Sequence, residues 1–77
     1  MPRVVYVSYD AAQKLIPVFQ YYAKKGPWRE VREDSRIILR ELEWVRPMSY
    51  APFEGRQVFL NEVQHEFFES VANEVGV

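Results

Sequence analysis

Glu62 and His65 have the spacing that comes nearest to a metal-binding motif in this chain. Residues three apart in a helix share a face, so their carboxylate and imidazole can point the same way. Di-iron carboxylate bundles use two such E-x-x-H motifs and two further glutamates. This chain has one histidine, so even with Glu66 or Glu69 only a dimer would supply a full ligand set. A lone match of this length is unspecific, and we expect no metal and no cofactor.

Other catalytic patterns are missing from the sequence. It contains no cysteine, which excludes thiol chemistry and Cys-based zinc sites. The serines have one histidine as a possible base, and no G-x-S-x-G elbow is present. The three glycines are isolated from one another, so none belongs to a phosphate-binding loop. Acidic pairs such as Glu41 and Glu43 lie among charged neighbours instead of apolar ones. We therefore expect a protein that is not an enzyme.

Aromatic side chains are the feature that most suggests a binding surface. Five Tyr, five Phe and two Trp make up 16% of the 77 residues. A chain of this size buries only about 60% of its unfolded surface, and each ring carries roughly 150–250 Å². Complete burial of all the rings is therefore not expected. Trp, Tyr and Arg are enriched at binding hot spots, so we expect some of them to contact a partner.

The strongest candidates follow residue 36. If residues 36–46 are helical, Ile37 and Trp44 lie on a second apolar face, apart from the stripe that enters the core. Arg40 lies close to both and can bind a carboxylate through two hydrogen bonds. In the alternative interpretation other helices cover both faces and Trp44 belongs to the core. The full predicted partner-binding set adds three large side chains from the following loop: Ile37, Arg40, Trp44, Met48, Tyr50 and Phe53.

The first half of the chain predicts a strand and then a helix. Residues 3–9 are β-branched or aromatic with few exceptions, which favours a strand. Asp10 and Gln13 form a capping-box pattern that predicts a helix over residues 11–25. Pro17 lies inside this helix, where we expect a kink or a break.

Residues 27–46 predict a long helix between two prolines. Apolar residues recur there with the 3-4 spacing of a heptad, beginning at Trp28, with Ser35 on the same stripe. Asp34 and Ser35 could break the helix, and the alternative is a β-hairpin around them. A Pro/aromatic loop over residues 47–55 and a helix over residues 58–75 complete the chain, with Asn61 and Gln64 as a second capping box.

These elements predict one helix-dominated α+β domain over residues 1–77. Its order is an N-terminal strand followed by about three helices, β-α-α-α, with β-α-β-β-α as the alternative. A lone strand is not stable, so it must pair with its counterpart in a second copy, with residues 36–44, or with the segment near Val58. No apolar run approaches the roughly 20 residues of a membrane-spanning helix. We expect a cytoplasmic protein without a membrane partner.

Charge decides between the remaining classes of partner. Ten basic against eleven acidic residues give a net charge of −1, which weakens the electrostatic case for nucleic acid. Residues 1–46 carry net +3 (nine basic, six acidic), and residues 47–77 carry net −4 (one basic, five acidic). Two copies of the chain could therefore be complementary. A small core without disulfides, an unpaired strand and surplus aromatics together predict a homodimer or a higher homo-oligomer.

One alternative function comes from a resemblance. A strand followed by two helices, with the segment 35–42 in the second, resembles the ribbon-helix-helix DNA-binding regulators, which would imply a dimer that reads the major groove. The strand departs from that pattern because it offers Arg3 and otherwise Val, Tyr and Ser. The expected function is a non-catalytic protein-interaction module, acting as adaptor, assembly factor or inhibitor on another protein. No nucleic acid is expected as a partner.

Overall fold

The computed structural model describes residues 3–45 and 55–77. Its elements, in chain order, are β1 (Arg3–Ser8), α1 (Tyr9–Lys25), α2 (Arg29–Glu43), β2 (Gly55–Leu60) and α3 (Glu62–Val75). The helix-dominated α+β class predicted from the sequence is confirmed. The predicted site residues Met48, Tyr50 and Phe53 lie outside the described residues.

The two strands form one antiparallel sheet whose register runs from Arg3 opposite Leu60 to Ser8 opposite Gly55. Of the three pairings considered for the N-terminal strand, the segment near Val58 is therefore the one formed. Residues 58–60, predicted as the start of the last helix, belong to β2 because their β-forming side chains alternate between buried and exposed. The sheet buries its inner face against the helices and exposes Val4, Tyr6 and Phe59 on the outer face.

Helix α1 begins two residues earlier than expected, at Tyr9 instead of residue 11. Its N-cap is Ser8, whose Oγ accepts a hydrogen bond from the Ala11 N–H at 3.2 Å. The prediction of Asp10 as the cap is wrong; Asp10 lies in the first turn, where its charge complements the helix dipole. The helix continues through Pro17, which lies on the exposed side, so the expected break does not occur.

Helix α2 is one uninterrupted element, so the hairpin alternative and the break at Ser35 are wrong. The stripe of Ser35, Ile38 and Leu42 is buried as the heptad spacing predicts. Trp28 is not part of it, since its backbone is extended (φ −119°, ψ 148°) at the N-cap and its side chain is 67% exposed. Position 28 fits the heptad spacing, but it precedes the first helical residue, so helical periodicity does not place its side chain on the buried stripe.

Helix α3 carries the predicted capping box. Asn61 Oδ1 accepts from the Gln64 N–H at 2.8 Å, and Gln64 Oε1 accepts from the Asn61 N–H at 3.1 Å. The sequence also predicts an apolar stripe for this helix, made of Leu60, Val63, Phe67, Val71 and Val75. That prediction is partly wrong, because Val63 is 66% exposed. Phe68, which that stripe omitted, is buried instead and stacks on Phe19 with ring centroids 6.0 Å apart.

The core lies where the three helices meet the inner face of the sheet. Phe19 is its centre, with Phe67 against its edge at 5.6 Å. The largest fully buried apolar side chains come from α1, α2 and β2: Phe19, Leu15, Ile38, Leu42, Leu60 and Val58. Burying one face of α2 in this core leaves its opposite face to solvent.

Candidate functional site

The outward face of α2 brings together three of the residues singled out in the sequence. Ile37 is 41% exposed, Trp44 is 60% exposed and Arg40 is exposed between them. Their spacing of three and four residues places them on one side of the helix, over about 10 Å of its length. With Arg56, described below, they form what we call the Trp44 surface.

The end of α2 determines where Trp44 points. Trp44 is the C-cap, and its N–H donates to the Glu41 carbonyl oxygen at 3.2 Å. The next residue, Val45, is 3% exposed, and its N–H donates to the Leu42 carbonyl oxygen at 3.1 Å. Because Val45 is anchored in the core, the neighbouring indole is directed away from it.

Arg56 of β2 completes the surface. Its guanidinium carbon lies 5.9 Å from the centroid of the Trp44 ring, a cation–π arrangement. One of its terminal nitrogens lies 3.7 Å from Glu41 Oε2, which favours the same position for the guanidinium. Arg56 faces Val7 in the sheet register, so its side chain is on the helix side of the sheet. The register of β2 therefore delivers a cation to the end of α2.

Sequence reasoning did not place Arg56 in the site. A signal was present, because Arg56 is the single Lys or Arg within residues 47–77. Placing Arg56 beside Trp44 requires knowledge of the β1–β2 register, which no local sequence pattern predicts. Three predicted members of the site, Met48, Tyr50 and Phe53, belong to the segment between Val45 and Gly55. In the sequence, Val45 follows Trp44 and Gly55 precedes Arg56.

The Trp44 surface combines apolar area with positive charge. Arg40 and Arg56 supply two positive charges, and Glu41 offsets one of them. The side chains of Arg56 and Glu41 are 42% and 31% exposed, so their ion pair adds little to stability. The arrangement can cover an apolar side chain with the indole and bind a carboxylate with Arg40.

Glu62 and His65, considered above as a metal motif, each lie near a different charged side chain. Glu62 Oε1 lies 3.4 Å from an Arg3 guanidinium nitrogen, and His65 Nε2 lies 3.9 Å from Glu69 Oε1. Within residues 3–45 and 55–77, no three His, Asp or Glu side chains come together as a set of metal ligands. In the same two ranges, none of the helices has the length and apolarity needed to cross a membrane.

Comparisons with protein-family models, with curated proteins and with solved structures found no match. Function is therefore inferred from the chemistry of the chain's own surfaces.

Proposed function

We propose that this protein is a non-catalytic interaction module that binds another protein through the Trp44 surface, as an adaptor, assembly factor or inhibitor. The observation that carries the proposal is a tryptophan 60% exposed, aligned with Ile37 on one helix face and flanked by two arginines. Such anchors dominate protein interfaces because they bury large rigid area at small entropic cost.

The neighbours of Trp44 support a partner with both apolar and acidic side chains. Glu41 and the indole restrict Arg56, so less conformational entropy is lost when a partner binds against it. Arg40 makes no ion pair with any other described residue, which leaves its guanidinium available for a carboxylate. We expect the partner to insert an apolar side chain beside Trp44 and to place Asp or Glu near Arg40.

The DNA-binding alternative depends on the sheet. Its outer face carries Val4, Tyr6 and Phe59, which are 52%, 55% and 58% exposed. Major-groove readout needs hydrogen-bonding side chains at base edges, and this face supplies few of them. We expect no sub-micromolar binding of duplex DNA at physiological salt, measured by fluorescence anisotropy; tighter binding would favour the regulator.

The test of the proposal compares two exposed tryptophans at opposite ends of α2. Trp44 is 60% exposed and Trp28 is 67% exposed, and the 15 residues of α2 between them span about 22 Å. Tagged wild-type protein, Trp44→Ala and Trp28→Ala are used to capture partners from the native host, and affinities for the captured partner are measured. We expect Trp44→Ala to weaken binding about 30-fold or more and Trp28→Ala to change it less than about threefold.

Folding measurements on the same variants make the test decisive. Because Trp44 lies on the surface, Trp44→Ala should keep the wild-type circular-dichroism spectrum and lose no more than about 1 kcal/mol of stability, the contribution of the Arg56 contact. A loss of about 3–5 kcal/mol of stability in Trp44→Ala would assign the ring to the core and remove the proposed site. Equal loss of binding in both variants would also contradict the proposal.

A further inference from the structure

A second surface, distinct from the Trp44 surface, lies between α1 and α2. It is an open groove with an apolar floor of Ala23, which is buried, and Leu39, which is half-buried. Tyr21, 58% exposed, forms part of its α1 side. The complete lining of what we call the α1–α2 groove is Gln20, Tyr21, Ala23, Lys24, Arg36 and Leu39.

The α1–α2 groove is positively charged. Its lining holds Lys24 from one helix and Arg36 from the other, and no carboxylate. Neither cation forms an ion pair with another residue of the described ranges. Two like charges on one groove repel each other, so a carboxylate placed between them would be favourable to both. The groove therefore fits an occupant with acidic side chains beside an apolar one.

Helix α3 presents that combination on its outward side. Glu62, Glu66 and Glu69 are spaced four and three residues apart and are all exposed, with Val63 beside them at 66% exposure. The helix has no Lys or Arg. Glu62 and Glu69 lie near Arg3 and His65, whereas Glu66 makes no ion pair within the described ranges. We call these four residues the acidic face of α3.

The two complementary surfaces do not meet within one chain. Helix α3 packs against α1 through Phe67 and Phe68, which contact Tyr22 and Phe19. That packing buries the side of α3 opposite its acidic face. None of the ion pairs in the described ranges joins α3 to Lys24 or Arg36.

We propose that a second copy of this chain places the acidic face of its α3 in the α1–α2 groove, with Glu66 between Lys24 and Arg36 and Val63 over Leu39. In a two-fold dimer this contact occurs twice, because each copy supplies one groove and one α3. The dimer uses different residues from the Trp44 surface. Self-association and partner binding are therefore separable by mutation.

Charge reversal with reciprocal rescue tests the dimer. Molar mass is measured by sedimentation over a hundred-fold concentration range for wild type, Arg36→Glu and Glu66→Arg. We expect a wild-type dimer and at least about tenfold weaker association for each variant. Glu66→Arg makes both contacts repulsive, and Arg36→Glu sets a carboxylate against Glu66 in both contacts, where Lys24 alone still attracts it. In an equal mixture of the two variants, one contact has the charges at positions 36 and 66 reversed, opposed by the unchanged Lys24, and the other contact is wild type. The mixture should therefore associate more tightly than either variant alone and less tightly than wild type.

Arg29→Glu is the matched control. Arg29 carries the same charge on the same helix, and its side chain is 81% exposed outside the groove. Alone it should dimerise like wild type. Mixed with Glu66→Arg it should form only its own dimers and leave the Glu66→Arg chains monomeric, since one contact of a mixed dimer is repulsive. Trp44→Ala should also dimerise normally, which separates failure of this inference from failure of the proposed function.

Several results would overturn the dimer. They are a wild-type monomer throughout, dimers unaffected by either reversal, or a mixture of Arg36→Glu and Glu66→Arg that stays monomeric. Loss of dimer in Trp44→Ala would move the self-association site to the Trp44 surface. If Arg36→Glu abolished partner capture without changing the mass, the groove would belong to an acidic partner protein instead.

Discussion

The guanidinium of Arg56 lies over the indole of Trp44, with 5.9 Å between the guanidinium carbon and the ring centroid. The contact joins the start of β2 to the end of α2. It also fixes one face of the indole and leaves the ring available beside Ile37. The same contact therefore ties the sheet to α2 and orients the proposed anchor.

The Arg56–Trp44 contact should be measurable as a coupling energy. A double-mutant cycle with Arg56→Gln and Trp44→Ala, followed by urea unfolding, should give about 0.5–1 kcal/mol, the usual range for an exposed cation–π pair. Arg56→Lys should retain part of it, since an ammonium also interacts with the ring but lacks the planar guanidinium. If the free-energy changes of the two single variants add up to that of the double variant, the two side chains do not stabilise each other.

Replacing Ser35 should stabilise the protein. Its side chain is fully buried and its Oγ has no hydrogen-bond partner among the described atoms. Ser35→Ala removes an unsatisfied polar atom, which costs about 1–3 kcal/mol when buried, and improves helix propensity. We expect the free energy of unfolding to rise by about 1 kcal/mol or more.

The control for Ser35 is Ser70→Ala in α3. Ser70 is exposed within a helix, so its substitution reports the propensity gain alone, about 0.5 kcal/mol. The difference between the two variants in chemical denaturation isolates the buried hydroxyl. If Ser35→Ala gained no more than Ser70→Ala, the hydroxyl would be satisfied in solution.

Local signals in the sequence predicted the parts of the fold that depend on neighbouring residues. The capping box of Asn61 and Gln64 needs only four residues, and it forms as expected. The buried stripe of Ile38 and Leu42 follows from helical spacing alone. Ser8 shows the limit of such reasoning, because Ser8 and Asp10 both suit an N-cap. Ser8 is also the last residue paired in β1, so the strand boundary decides between them.

Long-range pairing explains what the sequence left open. β1 pairs with β2 across 47 to 57 positions, from Ser8 opposite Gly55 to Arg3 opposite Leu60, and no turn signal links them. Without that register, residues 58–60 resemble the start of a helix and Arg56 has no place beside Trp44. Ile37, Arg40 and Trp44 could be grouped because one helix carries them, whereas Arg56 comes from a different element.

Gly26 should not tolerate a side chain. A Cβ there would lie 2.6 Å from the Tyr22 carbonyl oxygen and 2.9 Å from Val31 Cγ1. That carbonyl accepts the Gly26 N–H at 2.9 Å, so it cannot move away without losing the bond. We expect Gly26→Ala to lower the free energy of unfolding by about 1–3 kcal/mol, with a lower Tm.

Gly76→Ala gives a contrast for Gly26. Gly76 has φ +87° but nothing within 4 Å of a Cβ, so its cost is conformational only. At the C-terminal end of α3 we expect a cost of about 1 kcal/mol, the lower end of the usual range for a left-handed residue with a Cβ. A Gly26→Ala protein as stable as wild type would show that the α1–α2 connection can relax around a methyl group.

The last prediction concerns the contact between Gln64 and Asp34, which joins the first turn of α3 to α2. Gln64 is 7% exposed, and its Nε2 donates to Asp34 Oδ1 at 3.4 Å. Gln64→Glu keeps the capping box, since either residue suits this position. It replaces the donor with a second carboxylate facing Asp34 in a mostly buried site. We expect a loss of about 1–3 kcal/mol from the unpaired, repelling charge.

Adding Asp34→Asn to Gln64→Glu should recover most of that loss, because the side-chain amide introduced on α2 can donate to the new carboxylate. Asp34→Asn alone should cost little, since its Oδ1 still accepts from Gln64 Nε2. Urea unfolding of the four proteins should therefore give a favourable coupling of about 1 kcal/mol or more. Additive effects would mean that Gln64 stabilises α3 through its cap alone and that the two helices are held together by apolar packing without this bond.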